Sequence, residues 1–326
     1  MPSKPLISGY DALLSDLDGV VYAGQQAVPG AIEALERLKD TGTALGYITN
    51  NASRSSEQVA AHLRELGAPA TADQVFGSAR AGALLLARHV PAGSKVLVTG
   101  SRTLADETAA QGFIPVGSAL EAPSAVIQGF DPGLGWKELA EASFAIAAGA
   151  FWIATNTDMT IPRERGIAPG NGALVAAVQA ATGAVPLVAG KPEAGIFTTA
   201  AAALGAHRPL VVGDRLDTDI LGGNNAGMDT AVVLTGVDGP EAVLGARTAE
   251  RPRYLLGSLA ELYLPYPAVN RDGEGFRCGA AHAAIENGGL RVSGSRDDVD
   301  TWRAACAAWW DAYPDQAAAA TPELAD

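Results

Sequence analysis

The chain of 326 residues carries 23 Lys and Arg against 36 Asp and Glu, a formal charge of −13, with 48% hydrophobic and 18% charged residues. This composition excludes a disordered, collagenous or low-complexity polypeptide, and the acidic balance argues against a broad nucleic-acid footprint, which needs clustered Lys and Arg. A site for a small anion must therefore bring its own positive charge, as a metal, a lysine or helix N-termini.

In chain order, the segment before Ala12 lacks the apolar centre of a signal peptide. Short apolar runs then alternate with helical patterns: Ala12–Ser15 with Ile32–Leu38, and Ala44–Ile48 with Val59–Leu66. Further strand-like runs follow at Lys95–Thr99, Ala125–Gln128 and Phe151–Thr155. The longest uncharged run, Gly166 to Gly190, is broken by Pro169, Pro186 and several glycines, so no membrane span is expected. Leu210–Val212 with Ile220–Ala226 repeats the first pattern. Apolar runs of this kind are buried on both faces, which predicts an α/β fold with a doubly wound, Rossmann-like parallel sheet.

The stretch between Thr49 and Lys191 exceeds one crossover and reads as an inserted α/β domain. The expected division is a core of residues 1–80 and 188–262, an insert of 81–187, and a small C-terminal unit of 263–326 with no assigned role. In that last unit, Ser295 with Asp298 is a candidate helix cap. Val299, Trp302, Cys306, Trp309 and Tyr313 then recur at helical spacing and are expected to pack on a core. Two cysteines, Cys278 and Cys306, give no disulfide framework and suit a reducing cytoplasm.

Four polar clusters sit at strand ends, where open α/β sheets bind ligands. Asp16 and Asp18 flank Leu17 before Gly19, which suits a sharp turn; alternation along an extended chain would aim both carboxyls at one site. Such a pair also occurs in metal-binding transferases and ordinary loops. Thr49, Asn50 and Asn51 offer groups for phosphate oxygens, or a helix cap. Lys191 precedes a helix start with proline at an early position; a lone lysine is otherwise a solvated surface group. Asp214, Asp217 and Asp219 crowd three carboxylates after one strand, which a divalent cation with oxygen ligands would relieve and a solvated acidic turn would also explain.

Together, DLDGV, ITNN, AGKPE and GDRLDTDI resemble the four motifs of the haloacid dehalogenase superfamily. GDRLDTDI, the position of the insert, and IATNTD with PGNGAL inside it resemble the NagD-like and nitrophenyl-phosphatase-like branch, whose insert is a cap domain. The resemblance implies a Mg²⁺-dependent phosphatase acting through an aspartyl-phosphate. Asp16 would be the nucleophile and Asp18 the general acid and then base. Thr49, Asn50, Asn51 and Lys191 would bind substrate. Asp16, the Asp18 carbonyl and Asp214 would hold the metal, with Asp219 behind them. Asp18 favours a phosphatase or mutase, because dehalogenase members lack this second aspartate and ion-pumping members usually carry threonine.

The expected substrate is a small phosphorylated metabolite. The Ala-rich composition and the C-terminal unit resemble actinobacterial glycerol-3-phosphate phosphatases, which makes glycerol 3-phosphate the first expectation and phosphoglycolate or pyridoxal phosphate the alternatives. A non-catalytic sensor of a phosphorylated metabolite is the remaining reading, and homo-oligomerisation is left open. Asn156, Asp158, Arg163, Glu164 and Arg165, with the turn Pro169-Gly170-Asn171-Gly172, are the candidates for contacts to the leaving group. The C-terminal unit lacks the coenzyme A loop of an acyltransferase, and a structural role is expected for it.

Overall fold

A computed structural model describes residues 4–163, 165–286 and 288–325. The chain divides into two compact units, one comprising Met1–Tyr47, Leu63–Pro69 and Ala200–Asp326, the other Ile48–His62 and Ala70–Thr199.

In the first unit, parallel strands run in the spatial order Tyr254–Leu256, Asp229–Val233, Pro209–Gly213, Ala12–Ser15 and Ala44–Thr49, the last passing into the second unit's residues at Ile48. Pairing aligns Ala12 to Ser15 with Pro209 to Val212 on one side and with Ala44 to Tyr47 on the other. Ala12–Ser15 is buried at every position, as its unbroken apolar run anticipates. From Ala12–Ser15 the chain moves outward to Ala44–Thr49 on one side; from Pro209–Gly213 it steps away on the other. The strand order therefore reverses between Ala12–Ser15 and Pro209–Gly213, and Asp16 and Asp214 follow the carboxyl ends of these two strands.

The C-terminal segment belongs to this unit's core. Antiparallel strands Val269–Asp272, Gly275–Cys278, Ala281–Glu286 and Gly289–Ser293 form a sheet covered by the helix Val299–Ala312. Trp302, Cys306 and Trp309 are buried with Leu216, Ile220, Val232, Val243, Leu244 and Leu255, with Val299 packed against them, as the spacing predicts; Tyr313, at the helix end, is instead exposed. The cap differs from expectation. Asp298 is the N-cap and accepts from the Asp300 N–H at 3.0 Å, whereas Ser295 accepts from Asp297 in the preceding turn.

The second unit is a five-stranded parallel sheet in the order Leu187–Val188, Phe151–Ala154, Ala125–Gln128, Lys95–Thr99, Ile114–Val116. Helices Trp136–Ala147 and Asn171–Thr182 bury Ala142, Ile146, Val175 and Val178 against Leu97, Val126 and Trp152. Helices Ser78–Leu86 and Arg102–Ala110 bury Ala79, Leu86 and Leu104 against Val96, Ala125 and Ile127 on the opposite face. A hairpin, Thr160–Arg163 with Gly166–Pro169, leads into Asn171–Thr182. Among the described residues, no helix is long and apolar enough to cross a membrane.

Candidate active site

Asp16 leaves the strand Ala12–Ser15 with its N–H donated to the Val212 carbonyl at 2.8 Å. The extended geometry stops there. The Leu17 carbonyl accepts from Val20, Val21 and Tyr22, folding the chain back, so strand alternation does not carry on to Asp18. Asp16 is half-buried and Asp18 exposed. Gly19 makes the turn at φ 78°, and a Cβ there would sit 2.2 Å from Asp214 Oδ2, so both conformation and close approach require glycine.

Asp214, buried at 1% exposure, receives the Val237 N–H on Oδ2 at 2.8 Å, and its carbonyl receives the Asp238 N–H at 3.0 Å. Asp219 is buried on a π-helical turn, Leu216–Ile220, and accepts from the Arg215 N–H at 3.2 Å. π-turns recur at functional sites. Asp217 does not join them; it is exposed and pairs with the Arg215 guanidinium at 2.8 Å.

Asp16, Asp214 and Asp219 each present a carboxylate oxygen, and these oxygens lie within 4.8 Å of one another. Two like charges about 4 Å apart repel by about 4 kcal/mol at an effective dielectric of 20. A divalent cation between three anions at this range would relieve that repulsion. An all-oxygen donor set fits Mg²⁺, which keeps water in its remaining positions. Asp219, expected behind the ligands, thus offers an oxygen to the same cluster.

Two supports of this site were not anticipated. Thr235 donates to the Gly19 carbonyl at 2.7 Å, and Asp238 accepts from the Leu216 N–H at 2.6 Å. Burial holds the Asp238 carboxyl above the ordinary range, against the Leu216 N–H, which favours its charged form. Their position after the strand Asp229–Val233 was the available signal.

The second unit carries the other polar clusters. Thr49 is buried, and its Oγ1 accepts from the Asn51 N–H at 3.1 Å, while exposed Asn51 accepts from Ser53 at 2.8 Å. Lys191 is 4% exposed. Asn50 Oδ1 accepts from the Lys191 N–H at 2.8 Å, and Asn50 Nδ2 lies 3.1 Å from the Lys191 carbonyl and from both Asp158 carboxylate oxygens. Of the proposed leaving-group contacts, Asp158 is therefore engaged with Asn50. Asn156 is buried and donates to the Asn50 carbonyl at 2.8 Å. Arg165 is exposed; Glu164 and the side chain of Arg163 lie outside the described residues.

Residues 13–114 match the model of the haloacid dehalogenase-like hydrolases, and 188–262 match that of HAD-hydrolase-like proteins. The D-glycerol 3-phosphate phosphatase of Mycobacterium tuberculosis is 46% identical over 260 residues, 80% of this chain and 73% of that protein. The 5'-nucleotidase YutF of Bacillus subtilis is 38% identical, over 79% of this chain and 98% of its own. A solved glycerol phosphate phosphatase from Mycobacterium tuberculosis in complex with magnesium superposes with a TM-score of 0.88 at 40% identity, covering 99% of this chain and 95% of that one.

Proposed function

Because the chain belongs to the haloacid dehalogenase-like hydrolase family, we propose that it is a Mg²⁺-dependent phosphatase that hydrolyses glycerol 3-phosphate through a phosphorylated Asp16. The convergence of Asp16, Asp214 and Asp219 carries this reading, since a nucleophilic carboxylate must share a cation with its anionic substrate. Asp16, Asp214 and the Asp18 carbonyl, with Asp219 beside them, would hold Mg²⁺, which supplies positive charge to the transferred phosphoryl group.

The steps belong to the chain's own residues. Lys191 and Thr49 bind phosphate oxygens, in the roles their motifs imply. An Asp16 oxygen attacks phosphorus in line as the bond to the ester oxygen breaks, and Asp18 protonates the departing alkoxide. Asp18 then takes a proton from water, whose oxygen attacks phosphorus and frees Asp16 and phosphate. A positioned acid of this kind contributes about 10²–10⁴-fold. The exposure of Asp18 suits a group that meets both leaving group and water.

Glycerol 3-phosphate is favoured by the mycobacterial relative, at 46% identity, over the nucleotidase at 38%. Two free, buried cysteines suit the cytoplasm. Phosphate release from glycerol 3-phosphate, phosphoglycolate, pyridoxal phosphate, a nucleoside 5'-monophosphate and nitrophenyl phosphate tests the substrate. Glycerol 3-phosphate is expected to give the highest kcat/KM. A higher value for another metabolite would reassign the substrate, and saturable binding without release would favour a sensor.

A further inference from the structure

The Asn50 side chain grips the main chain of Lys191 from both sides. Its carbonyl oxygen accepts the Lys191 N–H at 2.8 Å, and its amide nitrogen donates to the Lys191 carbonyl at 3.1 Å. A strand neighbour would satisfy the same two groups; here one side chain does so at the segment between the strand Leu187–Val188 and the helix Ala194–Ala203. The fit is close. A Cβ on Gly190 would lie 2.4 Å from Asn50 Oδ1 and 2.5 Å from the Thr155 carbonyl, so the residue before the lysine has to be glycine.

Asp158 fixes which way the amide points. Both of its carboxylate oxygens stand 3.1 Å from Asn50 Nδ2, and a carboxylate only accepts, so the amide must present its NH₂ to Asp158 and its oxygen to the Lys191 N–H. The Asp158 loop is braced in turn. Its carbonyl receives the Gly172 N–H at 2.9 Å, Gly170 donates to the Met159 carbonyl at 2.9 Å, and Asn171 donates to the Asn156 carbonyl at 2.7 Å. Asn156 returns to the main chain of Asn50, whose carbonyl also accepts from Ser78 at 2.7 Å. The turn Pro169-Gly170-Asn171-Gly172 thus supports the loop 156–159 and, through it, the asparagine beside the lysine.

We infer that Asn50, oriented by Asp158, is a positioning residue that sets the backbone of Lys191 for binding the substrate phosphate. This deepens the reading of Lys191 as a phosphate ligand and rests on it. Every hydrogen-bonding group of the Asn50 side chain is directed at Lys191 or Asp158, so its effect on turnover passes through Lys191. The Asn50 side chain, expected above to bind substrate, acts in this scheme one step removed.

A double-mutant cycle on kcat/KM for glycerol 3-phosphate tests this, with Asn50→Ala, Lys191→Ala and the pair, alongside thermal unfolding. Misplacing a phosphate ligand by about 1 Å costs about 10²-fold, which is the loss expected for Asn50→Ala. KM should rise and competitive inhibition by inorganic phosphate weaken, with the Mg²⁺ requirement unchanged. In a Lys191→Ala background, Asn50→Ala should cost less than about 2-fold more, the scatter of independent sites. Losses that multiply, or no loss in a folded Asn50→Ala protein, overturn the positioning role. Asp158→Ala leaves the Lys191 main chain intact and carries the same cycle if Asn50→Ala does not fold. A wild-type protein that releases no phosphate, or a fully active Lys191→Ala, would instead remove the functional reading on which the inference stands.

Discussion

Asp214 and Asp219 lie in one seven-residue cluster with Asp217, yet they part company in the fold. Asp214 sits directly after a buried strand, Asp219 is turned inward by a π-helical turn, and Asp217 faces solvent with Arg215. Spacing alone identifies the three carboxylates, and the family resemblance singles out Asp214 and Asp219; that Asp219 reaches the same cluster depends on a local departure from α-helical geometry. Asn50 is a similar case. Its place at a strand end was legible, whereas its partners are 108 and 141 residues away in the chain. Asp219 Oδ2 accepts from the Arg215 N–H at 3.2 Å, a bond that an amide oxygen can also accept, so Asp219→Asn should preserve the turn while removing charge from the cluster. The Mg²⁺ concentration for half-maximal phosphate release is expected to rise by about 10–100-fold, the usual effect of altering a residue that supports or completes a metal site. Unchanged Mg²⁺ dependence would remove Asp219 from the metal's surroundings.

At the level of elements, the strands were the most readable part, because unbroken apolar runs bounded by polar clusters leave few alternatives to a buried parallel strand. Ala12–Ser15, Lys95–Thr99 and Ala125–Gln128 have the expected limits. The C-terminal helix was legible as an apolar stripe, but not the surface it covers. Val232, from the sheet that carries Asp214, and Leu216 and Ile220, from the turn after it, share its core. Arg303 strengthens the junction by donating to the Leu255 carbonyl at 2.7 and 3.0 Å and pairing with Glu261 and Asp300. Trp309→Ala is accordingly expected to lower stability by about 3–5 kcal/mol in denaturant unfolding. Thiol labelling reports the same packing. Burial pushes the Cys278 thiol up to about 12 and Cys306 higher still, so both stay protonated at pH 8. Native protein should resist a thiol reagent there and label at both cysteines when unfolded; rapid native labelling would contradict a buried helix face.

For the whole molecule, a charge of −13 sets the problem that the site has to solve. An acidic protein repels a phosphate ester at long range, and a carboxylate nucleophile repels it again at contact. In the proposed scheme a cation held by the convergent carboxylates answers both repulsions, with Lys191 in the role its motif implies and the family's motifs assigning the order of bond changes. In the proposed reaction, phosphate passes through the side chain of Asp16. Rapid acid quenching after mixing with ³²P-labelled glycerol 3-phosphate tests it directly. With Mg²⁺ present, label is expected on the protein, acid-stable, released by hydroxylamine and confined to the peptide containing Asp16, with none in Asp16→Asn or in EDTA. Phosphate release that persists in folded Asp16→Asn, or label at another residue, would contradict it.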